Sequence, residues 1–315
     1  MTEISAFFIE LVGLFKKILG LPAGAMNGDP IAWLLLLLGA FVVFYLVTFY
    51  RGTLKKRSEG APRPLLIGIG FITNFFDTLG IGSYATTTAI FKGWKLVKDE
   101  WIPGTLNIGH TLPTVTQAFI FIGAVVVDPV TLVLMILAAI VGAVWGARYV
   151  ANWPRRNIQL GMGTALFIGA FLFAGRNLGY ITSSGEATGV TGGLLVLGVL
   201  GNIFLGALMT IGVGLYAPCM LLISAIGMSE KAAFPIMMGS CAFLMTGATK
   251  PFVTAGSFSF KAVLGLAIGG VAGSLVAGLW VKDLDLVKLR WGVAVVVLYT
   301  GIAMLYSAYK EKKGA

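Results

Sequence analysis

Gly80-Ile81-Gly82-Ser83-Tyr84-Ala85-Thr86 recurs further along the chain as Gly212-Val213-Gly214-Leu215-Tyr216-Ala217-Pro218. Both copies sit inside long apolar stretches. The register that superposes them also sets Pro103 on Pro235, Thr114 on Thr246 and Gly146 on Gly278. Inside a bilayer no water satisfies the N–H and C=O groups that a helix break releases. Irregular backbone survives there only where protein buries it or where it lines a cavity. Hydrophobic helices interrupted at matching places in two repeats are the sequence mark of secondary transporters, and the breaks point at a binding site.

Composition supports the membrane setting. The 315 residues are 57% hydrophobic and only 11% charged, with mean hydropathy +0.92, whereas a soluble domain carries roughly a quarter charged residues. Runs such as Pro30–Tyr50 and Val130–Val150 are long enough to span about 30 Å of hydrocarbon. The chain reads as an all-α, polytopic membrane protein in contact with the lipid bilayer. Its polar stretches are too short to fold alone, which argues against a catalytic ectodomain or a nucleic-acid module. The net charge of +10 reads first as a topology signal and second as a solvated anion path, not as a nucleic-acid surface. Cys219 and Cys241 lie in apolar segments and read as small packing residues. No metal-ligand spacing or cofactor fingerprint appears, so neither a metal nor a cofactor is expected. Glu3 and the lack of a basic leader argue against a cleavable signal peptide.

Residues 1–29 place Phe7, Leu11, Leu14 and Ile18 on one helical face and Glu3, Glu10 and Lys17 on another, as in an amphipathic interfacial helix. Residues 30–63 add a span and a basic cluster, Arg51, Lys55, Lys56, Arg57 and Arg63, that the positive-inside rule puts in the cytoplasm. Repeat one covers 64–175, a polar linker 176–188, and repeat two with a short basic tail 189–315. Each broken segment reads either as a long kinked span or as a re-entrant hairpin. The hairpin choice gathers Lys92, Lys95, Lys98, Arg148, Arg155, Arg156, Lys250, Lys261, Lys310, Lys312 and Lys313 on the cytoplasmic side. It implies about seven full crossings, an outside N-terminus and a cytoplasmic C-terminus. An odd number of crossings per repeat makes the second an inverted copy of the first. Against the hairpin, Gly189–Ile211 is long enough to cross fully. Small residues at about four-residue spacing, Ala138, Gly142 and Gly146, then Gly270, Gly273, Ser274 and Gly278, offer close helix contact, either within one protomer or as a homodimer face.

The first break is the more polar. Asn74, Asp77, Thr78, Ser83, Thr86, Thr87 and Thr88 surround it, and the next span adds Asn107, His110, Thr111, Thr114, Thr116 and Gln117. Asn107, His110, Thr111 and Thr114 share one helical face, and polar groups at that density do not face lipid. The substrate-binding candidates are Asn74, Gly80, Gly82, Ser83, Tyr84, Thr86, Thr87, Asn107, Thr111 and Thr114 from repeat one, with Gly212, Gly214, Tyr216, Cys219 and Ser240 from repeat two. A helix that restarts after a break has unpartnered N–H groups carrying partial positive charge, which favours a small anionic substrate. No Arg or Lys lies near mid-span, so a releasable anion fits better than a clamped phosphate. The competing reading is that these glycines and threonines only pack helices and satisfy broken backbone. Asp77 and His110 are the titratable groups of this region. They read as a proton-coupling pair, or as a carboxylate capping broken backbone beside a core histidine.

Gly70-Phe71, Leu79-Gly80-Ile81-Gly82, Gly201, Gly206, Gly212-Val213-Gly214, Pro218, Pro235 and Ser240 together resemble the sulfite exporter TauE/SafE family of membrane transporters, over roughly residues 64–307. The chain departs from that pattern at Ser83 and Leu215, where a third glycine is usual, and at Thr86, where a proline is usual. The resemblance implies a secondary transporter of the bacterial plasma (inner) membrane that exports sulfite or an organosulfonate. An anion channel whose filter is formed by the two breaks is the rival reading. An intramembrane enzyme needs a nucleophile–base pair or a metal cluster, which one histidine without ligand spacing does not supply, so the chain is read as no enzyme.

Overall fold

The computed structural model describes residues 30–53, 60–146, 155–180, 185–210, 215–281 and 286–313, and the regular elements among them are helices. The segment 1–29, the Lys55–Arg57 cluster, Arg148, Gly212 and Gly214 lie outside the described residues. In chain order the helices are α1 (Pro30–Thr53), α2 (Pro64–Thr78), α3 (Ser83–Gly93), α4 (Ile102–Ala124), α5 (Pro129–Val141, continued by a π turn at Gly142–Gly146) and α6 (Arg155–Asn177). Then follow α7 (Gly192–Thr210), α8 (Tyr216–Ala225), α9 (Glu230–Ala255), α10 (Phe260–Val281) and α11 (Leu286–Lys313). Five of the described helices, α1, α7, α9, α10 and α11, are long and apolar enough to cross a membrane.

Helix α4 is too polar to stand among those five, and its position explains why. Asn107, His110, Thr111, Thr114 and Gln117 are all buried, because protein rather than lipid surrounds this helix. It packs against α9, whose most apolar stretch is 83% buried, against 22% for α1 at the periphery. The two central helices are equivalent members of the two repeats.

The repeats interlock. Helix α2 of repeat one packs on α10 of repeat two, and α7 of repeat two packs on α5 of repeat one; α4 meets α9, and α6 meets α11. Exchanging the repeats leaves this pattern unchanged. Small residues permit the close approach: a Cβ on Gly269 or Gly273 would collide with the α2 backbone at Ile67 and Phe71, and one on Gly142 would collide with the Ile203 carbonyl of α7. Gly270 faces Asn74 and Pro113, and Gly278 faces Ile120. At these five positions the small residues pack within the chain, as the first of the two readings has it.

The two helices that flank each break begin and finish at one end of the bundle, and the two pairs do so at opposite ends. At one end Leu66 and Ile69 from the start of α2, Phe91 from the end of α3, Ile102 and Leu106 from the start of α4, and Ala262 from the start of α10 form one apolar cluster. At the other, Ala187 and Met228 form an isolated bridge that joins the approach to α7 with the exit from α8. There the Asp128 N–H donates to the Thr188 carbonyl and the Ser229 N–H to the Ala187 carbonyl, both at 2.9 Å, which draws in the starts of α5 and α9. Helix α4 runs from the first end to the second, so the two helix pairs start from opposite ends of the bundle. Their limbs are unequal in repeat two: α7 has 19 residues and α8 has 10, or about 28 and 15 Å at 1.5 Å per residue.

Candidate functional site

The first break is built by two glycines in conformations other residues avoid. Gly80 has φ 97° and Gly82 φ 87°, a region that costs an L-residue with a Cβ roughly 1–2 kcal/mol. They turn the chain between the end of α2 and the start of α3. Asp77, in the last turn of α2, reaches across: its Oδ1 accepts the Ser83 N–H at 2.6 Å. A carboxylate thus caps the restarted helix and satisfies one of its orphan donors. This corrects the expectation that the restarted helix leaves its first N–H to a ligand; at Ser83 the protein's own acid takes it.

The other carboxylate oxygen ties the first break to the second. Asp77 Oδ2 accepts from Gln117 Nε2 at 3.0 Å, and the same nitrogen donates to Ser274 Oγ at 3.1 Å. Gln117 Oε1 accepts the Tyr216 hydroxyl at 2.9 Å. Asp77, Gln117, Tyr216 and Ser274 come from α2, α4, α8 and α10, so the network crosses both repeats. Asp77 is buried, and no basic side chain among the described residues pairs with it.

A cavity of about 70 Å³ opens beside this network, lined by Asp77, Gly80, Gly82, Ser83 and Tyr84 of the first break, and by Leu215, Tyr216 and Ala217 of the second. Thr114, Cys241, Met245 and Thr300 close it from α4, α9 and α11. Thr114 lies midway along α4, so the cavity sits about equally far from the two ends of the bundle. Its walls are largely apolar, with hydroxyls from Ser83, Tyr84, Thr114, Tyr216 and Thr300. Gly82 has open space where a Cβ would stand, whereas a Cβ on Gly80 would strike the Met220 side chain.

Other candidates serve the walls. His110, fully buried, joins Thr87 Oγ1 to its Nε2 at 3.1 Å and Asn74 Oδ1 to its Nδ1 at 3.0 Å. Asn74 Nδ2 donates to the Gly70 carbonyl at 2.8 Å. The run is satisfied when Nδ1 carries the ring proton and Nε2 accepts from Thr87. His110 therefore straps α2, α3 and α4 together. It shares no hydrogen bond with Asp77 among the described residues. Thr86 Oγ1 donates to the Ser83 carbonyl and Thr111 Oγ1 to the Asn107 carbonyl, at 2.9 and 2.6 Å. Asn107 Nδ2 reaches the Tyr84 hydroxyl at 3.5 Å, one residue behind the cavity wall. Ser240 Oγ accepts from Asn202 Nδ2 at 3.3 Å, and Cys219 is fully buried. None of these eight, Asn74, Thr86, Thr87, Asn107, His110, Thr111, Cys219 and Ser240, lines the cavity.

Gln117 and Ser274 are the participants that the sequence reading passed over. A signal existed for each. Gln117 extends the buried polar stripe His110, Thr114 by one more turn, and Ser274 carries a hydroxyl at the register where repeat one has Gly142.

Comparison with models of known protein families, with curated proteins and with solved structures yields no match. The class that the fold itself defines is that of a helical integral membrane protein with a central cavity where two interrupted helical segments meet.

Proposed function

We propose that this chain is a secondary transporter of a small sulfur-containing oxyanion, with the cavity between the two breaks as its substrate site. One observation carries the reading: both helix breaks, one from each interlocked repeat, contribute walls to the same central cavity. Irregular backbone at that depth is tolerated where it borders a cavity, and inverted hairpins meeting at a central site are the architecture of alternating-access carriers. The cavity volume suits an ion of a few non-hydrogen atoms, such as sulfite or a short organosulfonate, since a water's share of liquid volume is about 30 Å³. Cavity hydroxyls supply neutral donors. Among the described residues Asp77 is the one acid on the cavity wall, and it is the group through which a proton is coupled; a protonated Asp77 admits an anion that its carboxylate repels.

In this reading the two hairpins are re-entrant, with about seven further crossings. The N-terminus is outside a bacterial inner membrane, the C-terminus is in the cytoplasm, and transport runs outward. Support comes from the two helix pairs starting from opposite ends of the bundle and from the distribution of Lys and Arg. The test is flux of radiolabelled sulfite, isethionate and acetate in proteoliposomes holding the full chain. Saturable, slow flux of sulfite or isethionate is expected. Unitary currents in a planar bilayer would instead establish a channel, and absence of flux for every anion would sink the reading.

A further inference from the structure

We propose that Gln117 is the coupling residue of this cavity: the protonation state of Asp77 sets which way the Gln117 amide faces, and the amide decides whether the Tyr216 hydroxyl proton is held by the protein or offered to an oxyanion. The proposal rests on the cavity being the ligand site. It starts from a constraint of hydrogen-bond chemistry. An ionised carboxylate only accepts, an amide has one donating and one accepting end, and hydroxyls do both.

With Asp77 ionised, its Oδ2 requires a donor, so Gln117 must turn Nε2 toward it, as the 3.0 Å contact records. Oε1 then faces Tyr216 and accepts its proton at 2.9 Å, while Ser274 Oγ accepts from Nε2 at 3.1 Å. Every contact is satisfied, and the tyrosine proton is committed to the protein.

A proton arriving on Asp77 Oδ2 turns that oxygen into a donor facing a donor. Rotating the amide by half a turn resolves the conflict. Oε1 then accepts from Asp77 Oδ2 and from Ser274, whose hydroxyl swings round to donate, and Nε2 donates to the Tyr216 oxygen. The Tyr216 proton, no longer held by Gln117, is free to point into the cavity that Tyr216 lines. Asp77 Oδ1 keeps its Ser83 N–H in both states. One proton has been gained on Asp77, no other covalent bond has formed or broken, and the site has gained a donor for an anion as it lost a negative charge.

The surroundings leave this exchange to Asp77. Tyr84 from α3, Tyr216 from α8 and Cys241 from α9 are the other titratable groups on the cavity wall; α4, α10 and α11 present Thr114, Gln117, Ser274 and Thr300. No Lys or Arg among the described residues lines the cavity, and His110 is engaged by Thr87 and Asn74. Gln117 acts through Tyr216 and is a positioning residue.

The experiment uses the full chain in lipid nanodiscs. Infrared difference spectra across a pH titration, without added anion, should show a carboxylic-acid band absent from Asp77→Asn. An amide shift absent from Gln117→Leu and a tyrosine shift absent from Tyr216→Phe should appear over the same pH range. A carboxyl band that titrates while the amide and tyrosine bands stay still overturns the proposal. Should Gln117→Leu fail to insert, the wild-type tyrosine band alone reports the reversal. Radiolabelled isethionate, whose sulfonate stays ionised throughout, supplies the second arm. Its affinity should rise about tenfold as Asp77 protonates, the value of one hydrogen bond to a charged group. Asp77→Asn should hold the higher affinity at all pH, because its amide nitrogen donates to Gln117 permanently. Gln117→Leu with the wild-type pH dependence overturns the coupling role. Concerted band shifts without binding of isethionate, sulfite or acetate uphold the amide exchange and refute the substrate reading instead.

Discussion

The Asp77 carboxylate accepts the Ser83 N–H at 2.6 Å across Thr78–Gly82, so a residue in the last turn of one helix also caps the next. The break is held from within, and the acid that holds it stands on the cavity wall. A change in the charge of Asp77 is thereby felt at once by the backbone of the break, by Gln117 and by the cavity. This links the energetics of one carboxylate to the geometry of both repeats.

Replacing Asp77 by Asn keeps an oxygen for the Ser83 N–H, and replacing it by Ala does not. Asp77→Asn should melt within a few degrees of wild type in detergent, whereas Asp77→Ala should lose on the order of 1–3 kcal/mol for a buried N–H left unpaired. Transport by Asp77→Asn should no longer follow pH or move protons. An unchanged pH profile would remove Asp77 from the coupling.

Gly80 and Gly82 both have positive φ, but their surroundings differ. Alanine at either position carries the left-handed penalty of roughly 1–2 kcal/mol; at Gly80 it also meets the Met220 side chain, and at Gly82 it meets open space. Thermal melts should therefore rank Gly80→Ala as less stable than Gly82→Ala. Gly82→Val should insert at wild-type abundance yet export nothing, because its side chain occupies the cavity. Normal flux in Gly82→Val would mean that the break only packs helices.

Cavity hydroxyls and buried ones should separate by affinity. Thr114→Val and Ser83→Ala each remove a donor from the wall and should weaken isethionate binding by about 5- to 30-fold, or 1–2 kcal/mol. Thr111, whose hydroxyl donates to the Asn107 carbonyl, should change affinity less than about twofold as Thr111→Val, since only an internal bond is lost. Equal losses at Thr111 and Thr114 would relocate the site along α4.

His110 should prove a strut. His110→Phe leaves Thr87 and Asn74 facing an apolar ring and should cost on the order of 2–4 kcal/mol, read as a lowered melting temperature. His110→Gln restores a donor and an acceptor and should recover much of that stability with the wild-type pH profile of transport. A shifted profile in His110→Gln would return the histidine to the coupling.

Topology has a direct test in a background lacking Cys219 and Cys241. Trp94, 61% exposed after α3, and Val126, 77% exposed after α4, lie at opposite ends of the bundle. As cysteines, Trp94→Cys should react with an impermeant maleimide only in inside-out vesicles and Val126→Cys only in right-side-out ones. Labelling of both from one side would refute the orientation of α4 on which the inverted arrangement depends.

The amino-acid sequence alone determined that the chain is helical and built for a membrane, that it is a repeat, and where its helix break lies. Those properties are local. Hydrophobic run length sets the span, and a Gly-X-Gly inside such a run marks a turn that only residues without a Cβ make easily. Asp77 was legible as an acid out of place, and Tyr216 as the polar residue of an apolar copy. The tertiary structure alone decided what they touch. Gln117 meets Asp77, Tyr216 and Ser274 across separations of 40, 99 and 157 residues, and no spacing rule spans such distances. The same folding sorted the hydroxyls: a threonine in a buried helix bonds its own backbone or faces a cavity according to which helix packs beside it. At Thr111 and Thr114, three residues apart on α4, that choice fell opposite ways.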